Sequence, residues 1–162
     1  MEDLALRAPF GGAYAGRRVL VTGHTGFKGS WLALWLRALG ARVFGLALPA
    51  PAGPSHHALQ GARLDEALLD LRDAPAVAAA LRRFEPEIVF HLAAQALVRR
   101  SYGEPAVTFD VNVMGLVNLL DAVRAAPSVR VVVNATSDKC YANRQTSVGY
   151  REGDALGGHD PY

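Results

Sequence analysis

The chain of 162 residues has one cysteine, Cys140, so no internal disulfide can form and a reducing compartment suits it. Charge of either sign is scarce in excess. Against 17 Lys and Arg stand 15 Asp and Glu, and the resulting +2 is too small to argue for a nucleic-acid or anionic-membrane partner. No eighteen residues in a row are apolar, although apolar types make up 51% of the chain, so a buried core is expected rather than a membrane span. The N-terminus carries Glu2, Asp3 and an early Pro9 in place of the basic and apolar regions of a secretory leader, and a cytoplasmic location is the expectation. The five histidines include no H-x-x-x-H pair and no cysteine partner, so no metal site is expected. No internal repeat occurs, and the length suits one domain.

What is present is a regular alternation. Residues 1–16 read as a loose tail and 17–162 as one domain. Strands are expected at Arg17–Thr22, Ala41–Leu48, Glu66–Leu71, Glu87–Ala94 and Val129–Thr136, the last two fully buried. Helices are expected at Gly26–Leu39 (stopped by Gly40), Ala74–Phe84 and Pro105–Ala126, with a Pro/Gly-rich loop at Pro49–Ala62. From Ser137 onward the chain is polar and glycine-rich. Apolar strands alternating with helices predict an α/β fold, a Rossmann-like doubly wound parallel sheet.

The stretch "VTGHTGFKGSWL" places Gly23, Gly26 and Gly29 between the first strand and the first helix. A dinucleotide fold turns there, brings its backbone close to a pyrophosphate and offers the free N–H groups of the helix N-terminus to negative charge. The spacing is G-x-x-G-x-x-G. It does not fit a P-loop, because Lys28 falls where that pattern needs glycine. The candidate cofactor loop is therefore Gly23, His24, Thr25, Gly26, Phe27, Lys28 and Gly29. Asp70, with Leu71 beside it, ends the third strand, where a carboxylate can accept a hydrogen bond from the adenine amino group. A solvent-facing turn acid is the plainer alternative. The small residues of "HLAAQ" let Leu92, Ala93, Ala94 and Gln95 underlie a flat ribose–nicotinamide unit, while His91 reads as a satisfied core histidine. The second strand ends in Leu48 and Pro49 without the ribose-binding acid expected about twenty residues after the glycines. NAD is thus not secured over NADP, and His24, Lys28, Arg63 or Arg72 are candidates for a 2′-phosphate.

"VTGHTGFKGSWL", "HLAAQALVRRSY", "NVMGLVNLLDA", "TSDKCY" and "GYREGDALGGHDPY" together resemble the CDP-glucose 4,6-dehydratases, extended short-chain dehydrogenases/reductases that act on nucleotide sugars. The resemblance runs from about residue 16 to Tyr162. It implies NAD as a recycled cofactor, a nucleotide sugar (CDP-glucose) as substrate and a homo-oligomer for the whole enzyme. It also implies catalytic roles for Ser137, Asp138, Lys139 and Tyr162. Tyr162 matches the tyrosine that takes the carbon-4 hydroxyl proton, and Ser137 the hydroxyl that orients it. Asp138 and Lys139 match the pair that removes water across carbons 5 and 6, with acid and base not assigned between them. Arg99 or Arg100 could meet a substrate phosphate, and Asn112 resembles a helix asparagine of the superfamily, a packing role being equally consistent. Cys140 reads as a packed small residue. Tyr162 would open a Y-x-x-x-K pair, so the chain is expected to be the N-terminal half of such an enzyme and silent by itself. Another nucleotide-sugar enzyme of the superfamily, or a non-catalytic dinucleotide-binding module, are the alternatives.

Overall fold

The structure is a computed structural model that describes residues 9–50, 52–60 and 64–162. β1 (Arg18–Thr22) is a β-branched apolar run with four of its five residues buried. α1 (Phe27–Ala38) starts at Gly26 in an extended conformation and stops before Gly40, whose φ of 83° is a left-handed termination. β2 (Arg42–Ala47) follows, then α2 (His56–Leu59), a short helix inside the loop expected to be irregular. Ser55 begins α2 by accepting the Ala58 N–H at 3.1 Å, a local cap that the surrounding prolines and glycines obscured. β3 (Asp65–Leu68) is followed by α3 (Ala74–Phe84), where Asp73 accepts the Ala76 N–H at 3.0 Å. β4 (Ile88–His91) leads into α4 (Val98–Gly103), a helix not expected from the sequence. The long helix then divides into α5 (Pro105–Phe109), a π-helical turn at Asp110–Met114, and α6 (Gly115–Arg124), before β5 (Val131–Asn134).

All strands are parallel, in the order β3-β2-β1-β4-β5. The register brings Thr22 of β1 opposite both Leu46 of β2 and His91 of β4, and His91 opposite Asn134 of β5, so the strand ends share one edge. The chain winds from β1 to β3 on one side and returns to β4 on the other. The reversal between β1 and β4 opens a crevice at their carboxyl ends, where folds of this kind bind ligands.

Strand alternation divides the core between the two faces. Leu20, Phe44, Leu46 and Val89 meet Val77, Leu81 and Phe84 of α3 and Leu119 and Ala122 of α6. On the opposite face Val19, Val21 and Val43 meet Ala33 and Leu36 of α1. Each fully buried large side chain contributes about 1.5–3 kcal/mol of hydrophobic free energy. Residues 9–16, expected to be loose, lie against this second cluster: Tyr14 packs on it, and Phe10 stands edge-on to Trp35 at 5.5 Å. Residues 1–8 lie outside the described residues.

One further expectation changes. β5 is half exposed, with Val131 and Val133 at 48% and 44%, because among the described residues it pairs only with β4. The helical stretch Pro105–Arg124 is long and apolar enough to cross a membrane, with a mean hydropathy of 1.4. In this fold it packs on the sheet through its own Leu119, which is fully buried. Gly115 lets it approach, since a Cβ there would stand 3.1 Å from that of Leu71.

Candidate functional site

The three glycines of the first turn have three different tasks. Gly23 has a φ of 73°, and an added Cβ would lie 2.9 Å from the Ala93 backbone, so this position needs both a left-handed turn and an absent side chain. A Cβ on Gly29 would drive into the Gly23 carbonyl, so Gly29 sets how closely α1 packs on the turn. Gly26 differs: its Cβ would meet only the Gly23 oxygen, at 3.3 Å, and the position faces open space at the start of α1. The bare helix start, with no side-chain cap, leaves its N–H groups directed at that space.

That space is a cleft of about 740 Å³ at the carboxyl ends of the strands. Gly23, Thr25, Gly26, Phe27, Lys28 and Gly29 form one wall. Asp70 and Leu71 lie at one end, Leu92, Ala93, Ala94 and Gln95 form the floor, and Tyr162 also borders the cleft. Most of the candidate residues are thus brought together. Thr25 donates to the Leu48 carbonyl at 3.0 Å, which ties the loop to the end of β2.

The floor is held by polar contacts beneath it. The Thr22 hydroxyl accepts the N–H groups of Leu92 and Ala93 at 3.1 and 3.2 Å, and so has its own proton free to donate to His91 Nδ1 at 2.8 Å. The ring proton of His91 therefore sits on Nε2. Burial lowers the pKa of His91, and its reading as a satisfied core histidine agrees with the structure. Asn112, on the π turn, accepts the Gln95 N–H at 2.7 Å and donates to the Gln95 carbonyl at 3.2 Å. Both ends of its amide thus hold the Gln95 backbone in the floor. The Gln95 side chain bends back onto Leu97 and Thr108.

Asp70 lies two residues beyond β3 and is gripped by Arg72, with Nη2 to Oδ2 at 2.7 Å. The Arg72 guanidinium holds the Asp70 carboxyl below its usual range, and the two acids Asp70 and Asp110 raise the pKa of Arg72. Arg72 and Arg100 both border the cleft, as do Leu48 and Thr136. Arg72 was expected only as a candidate for a 2′-phosphate and Arg100 for a substrate phosphate, and Leu48 and Thr136 were in no candidate set. The pairing of Arg72 with Asp70 had one signal in the sequence, a position two residues after that carboxylate.

Two expectations are corrected, at His24 and at Cys140. His24 does not face the cleft: the turn at Gly23 sends its ring inward across Gly45, fully buried, and Nε2 meets Glu66 Oε2 at 2.6 Å. Burial lowers the pKa of His24, with Glu66 opposing. It is therefore unsuited to a 2′-phosphate. Arg63, another candidate for that role, lies outside the described residues. Arg99 is exposed and does not border the cleft, whereas Arg100 does, paired with Glu104 at 2.8 Å. Cys140 is exposed rather than packed.

The last segment follows β5. Asp138–Cys140 is a single 3-10 turn, and the side chain of Asp138 lies outside the described residues. Ser137 Oγ accepts the Lys139 N–H at 3.2 Å. Asp160, which the sequence did not single out, joins two candidates: it lies 3.9 Å from Lys139 Nζ and accepts the Tyr162 N–H at 3.0 Å. Ser137 and Lys139 do not border the cleft themselves, although Ala135 and Thr136 do.

Sheet order, crossover and glycine turn define a Rossmann-type α/β fold with its ligand crevice at the switch point. The chain belongs to the GDP-mannose 4,6 dehydratase family, whose model matches residues 20–162. It is 51% identical over 153 residues to a CDP-glucose 4,6-dehydratase of Salmonella typhimurium, a match covering 92% of this chain and 42% of that protein. A UDP-glucose 4-epimerase of Thermus thermophilus, solved in complex with NAD, superposes with a TM-score of 0.78 at 35% identity, over 90% of this chain and 46% of its own. A UDP-glucose-4-epimerase from Stenotrophomonas maltophila, solved with NAD and formylated UDP-arabinopyranose, gives 0.79 at 28% identity, over 90% and 44%. The chain thus spans less than half the length of these relatives.

Proposed function

We propose that this chain is the cofactor-binding part of a cytoplasmic nucleotide-sugar 4,6-dehydratase that takes CDP-glucose to its 4-keto-6-deoxy product with recycled NAD. One domain from residue 17 would carry the binding. The observation that carries the reading is the division of labour among the glycines. Gly23 and Gly29 are fixed by packing, while Gly26 leaves an open cradle at a helix start. The residues fit the group. The N–H groups at the start of α1 suit a pyrophosphate, and Lys28 adds positive charge on the same wall. Asp70 suits an adenine amino group, and the flat floor of Leu92, Ala93 and Ala94 suits the nicotinamide end. NAD is favoured over NADP because Arg72 is already engaged by two acids. The solved relatives with NAD support the same choice.

The hydride acceptor and donor that this chemistry needs is supplied by bound NAD. Tyr162 would take the carbon-4 hydroxyl proton, and its place on the cleft supports that role. A phenol with an ordinary pKa near 10 needs a cationic neighbourhood to ionise near neutrality. Ser137 would orient the same hydroxyl. Asp138 and Lys139 would form the pair that removes water across carbons 5 and 6, one taking the carbon-5 proton and the other giving a proton to the departing carbon-6 hydroxyl. Asp160, between Lys139 and the Tyr162 backbone, would keep these groups in one frame.

Calorimetric titration with NAD tests the cofactor assignment. Gly26→Val should abolish binding, and unchanged affinity would overturn the site. For the reaction, CDP-glucose and NAD are incubated with the chain and with a version extended to its relatives' length. The 4-keto product is followed by its alkaline absorbance. A product that retains its carbon-6 hydroxyl would favour an epimerase instead.

A further inference from the structure

Outside the cleft, three side chains that are distant in sequence meet around a buried histidine. His24 follows β1, Glu66 lies on β3, and His57 on α2. One ligand atom from each lies within 4.8 Å of the others. The register explains the meeting. Gly45 of β2 pairs with Glu66 of β3, and Gly45 has no side chain. The His24 ring fills that gap, since a Cβ on Gly45 would stand 2.5 Å from it, and so reaches across β2 to the carboxylate. His57 stands edge-on to His24 at 5.3 Å. Its neighbour His56 is engaged elsewhere, stacked on Trp31 at 3.9 Å and bonded to Ser30 at 2.8 Å.

We propose that His24, His57 and Glu66 form a binding site for one divalent ion of the zinc class. Two imidazoles and one carboxylate are a zinc donor set with a fourth position left for water. Three observations support it. First, the His24 side chain is fully buried, yet its Nδ1 has no hydrogen-bond partner, a cost that a purely structural histidine would not leave in place. While Nε2–H donates to Glu66, Nδ1 is the orphan. With the metal on Nε2 the imidazole proton moves to Nδ1. A ligating histidine commonly donates its second N–H to a backbone carbonyl. No proton is lost overall, since neutral imidazole only changes tautomer. Second, the fold brings the three ligand atoms within 4.8 Å of one another by laying the His24 ring over the bare Gly45. Third, the outer ligands provide access: the Glu66 side chain is 34% exposed and His57 is partly exposed. Metal–ligand bonds of about 2.0–2.2 Å need the 2.6 Å His24–Glu66 contact to open to roughly 3.3 Å, a small rotation of a partly exposed glutamate.

The test uses the purified chain stripped with chelator and titrated with Co²⁺, followed by visible absorbance, and with Zn²⁺, followed by calorimetry. One Zn²⁺ per chain is expected, with a Co²⁺ band between about 500 and 650 nm that Zn²⁺ displaces. His57→Ala and Glu66→Gln, both at partly exposed positions and checked for folding by circular dichroism, should each weaken Zn²⁺ at least tenfold. His159→Ala, an exposed histidine elsewhere, should leave it unchanged. Absence of the band, or Zn²⁺ affinity untouched by His57→Ala and Glu66→Gln in folded protein, would overturn the proposal. Titration with NAD in parallel keeps this result separate from the fate of the cofactor site.

Discussion

The sheet with its helices and the segment after β5 are built by different forces. Among the described residues, every buried apolar side chain lies between Val19 and Ala122. The stretch 135–162 contributes none. It is held together within itself by polar and stacking contacts: a bridge from Tyr141 to Leu156, Gly157 N–H to the Cys140 carbonyl at 2.9 Å, and Tyr141 on Tyr150 at 4.9 Å. The cradle for the proposed cofactor therefore rests on strand ends with a full core beneath them. The residues proposed for the sugar chemistry rest mainly on hydrogen bonds. Substitutions that damage the first region should cost stability, and those in the second should leave it almost untouched.

The largest expected loss is at the turn. Gly23→Val or Gly29→Val should destabilise by about 4 kcal/mol or more, because backbone rather than a movable side chain stands in the way. Gly26→Val should stay close to wild type in chemical denaturation, which separates packing from the cradle. Next comes Leu119→Ala, which should cost about 2–5 kcal/mol by opening a cavity between α6 and the sheet. Thr22→Val is isosteric but removes the acceptor for two N–H groups and the donor to His91, and should cost about 1–3 kcal/mol. A Gly29→Val protein with wild-type stability would erase the contrast between the two regions.

Much of this was legible because the sequence repeats one physical rule. Apolar runs, β-branched in all but β3, gave five strands at overlapping positions, and α3 spans the expected residues, with Asp73 capping it and Pro75 in its first turn. The glycine turn and the flat "HLAA" floor were legible for the same local reason. What was hidden depends on partners far away in the chain. The sidedness of His24 follows from a missing side chain on Gly45, a neighbour only after β2 pairs with β1. The occupation of Asn112 depends on a π turn that aims it at Gln95. α4 has no periodic apolar pattern long enough to announce it, and the half-exposure of β5 depends on sheet order rather than composition. Glu66 read only as a strand residue, so the His24–His57–Glu66 cluster had no local signature.

Acid should sharpen the comparison. Burial lowers the pKa of both His24 and His91 from 6.5, and both belong to the sheet region. A depressed histidine favours the folded state fully above its unfolded pKa. That advantage shrinks as pH falls from about 6.5 toward the folded value, because the unfolded chain takes up the proton first. The melting temperature should therefore fall between pH 7.5 and 5.5, and His91→Asn should flatten that slope even as it lowers stability. Asp70 and Glu87 are depressed too, but from 3.8 and 4.5, so their loss belongs to a more acid window. An unchanged melting temperature across pH 7.5 to 5.5 would contradict the buried, neutral state of the two histidines.

The smallest effect is expected at Lys139. Its ammonium faces Asp160 at 3.9 Å with 43% of the side chain exposed, a separation and exposure at which an ion pair is screened and contributes little. Lys139→Ala should therefore change stability by no more than about 0.5 kcal/mol, by chemical denaturation at low and high salt. NAD affinity should also hold, because Lys139 does not border the cleft. The substitution removes the proposed partner in water loss while leaving Asp160 its bond to the Tyr162 N–H. In a version of the chain that turns over CDP-glucose, the expected signature is lost product with intact folding and cofactor binding. A loss of several kcal/mol in Lys139→Ala would mean that the segment after β5 is welded to the sheet by more than its polar contacts, and that the two regions fold as one.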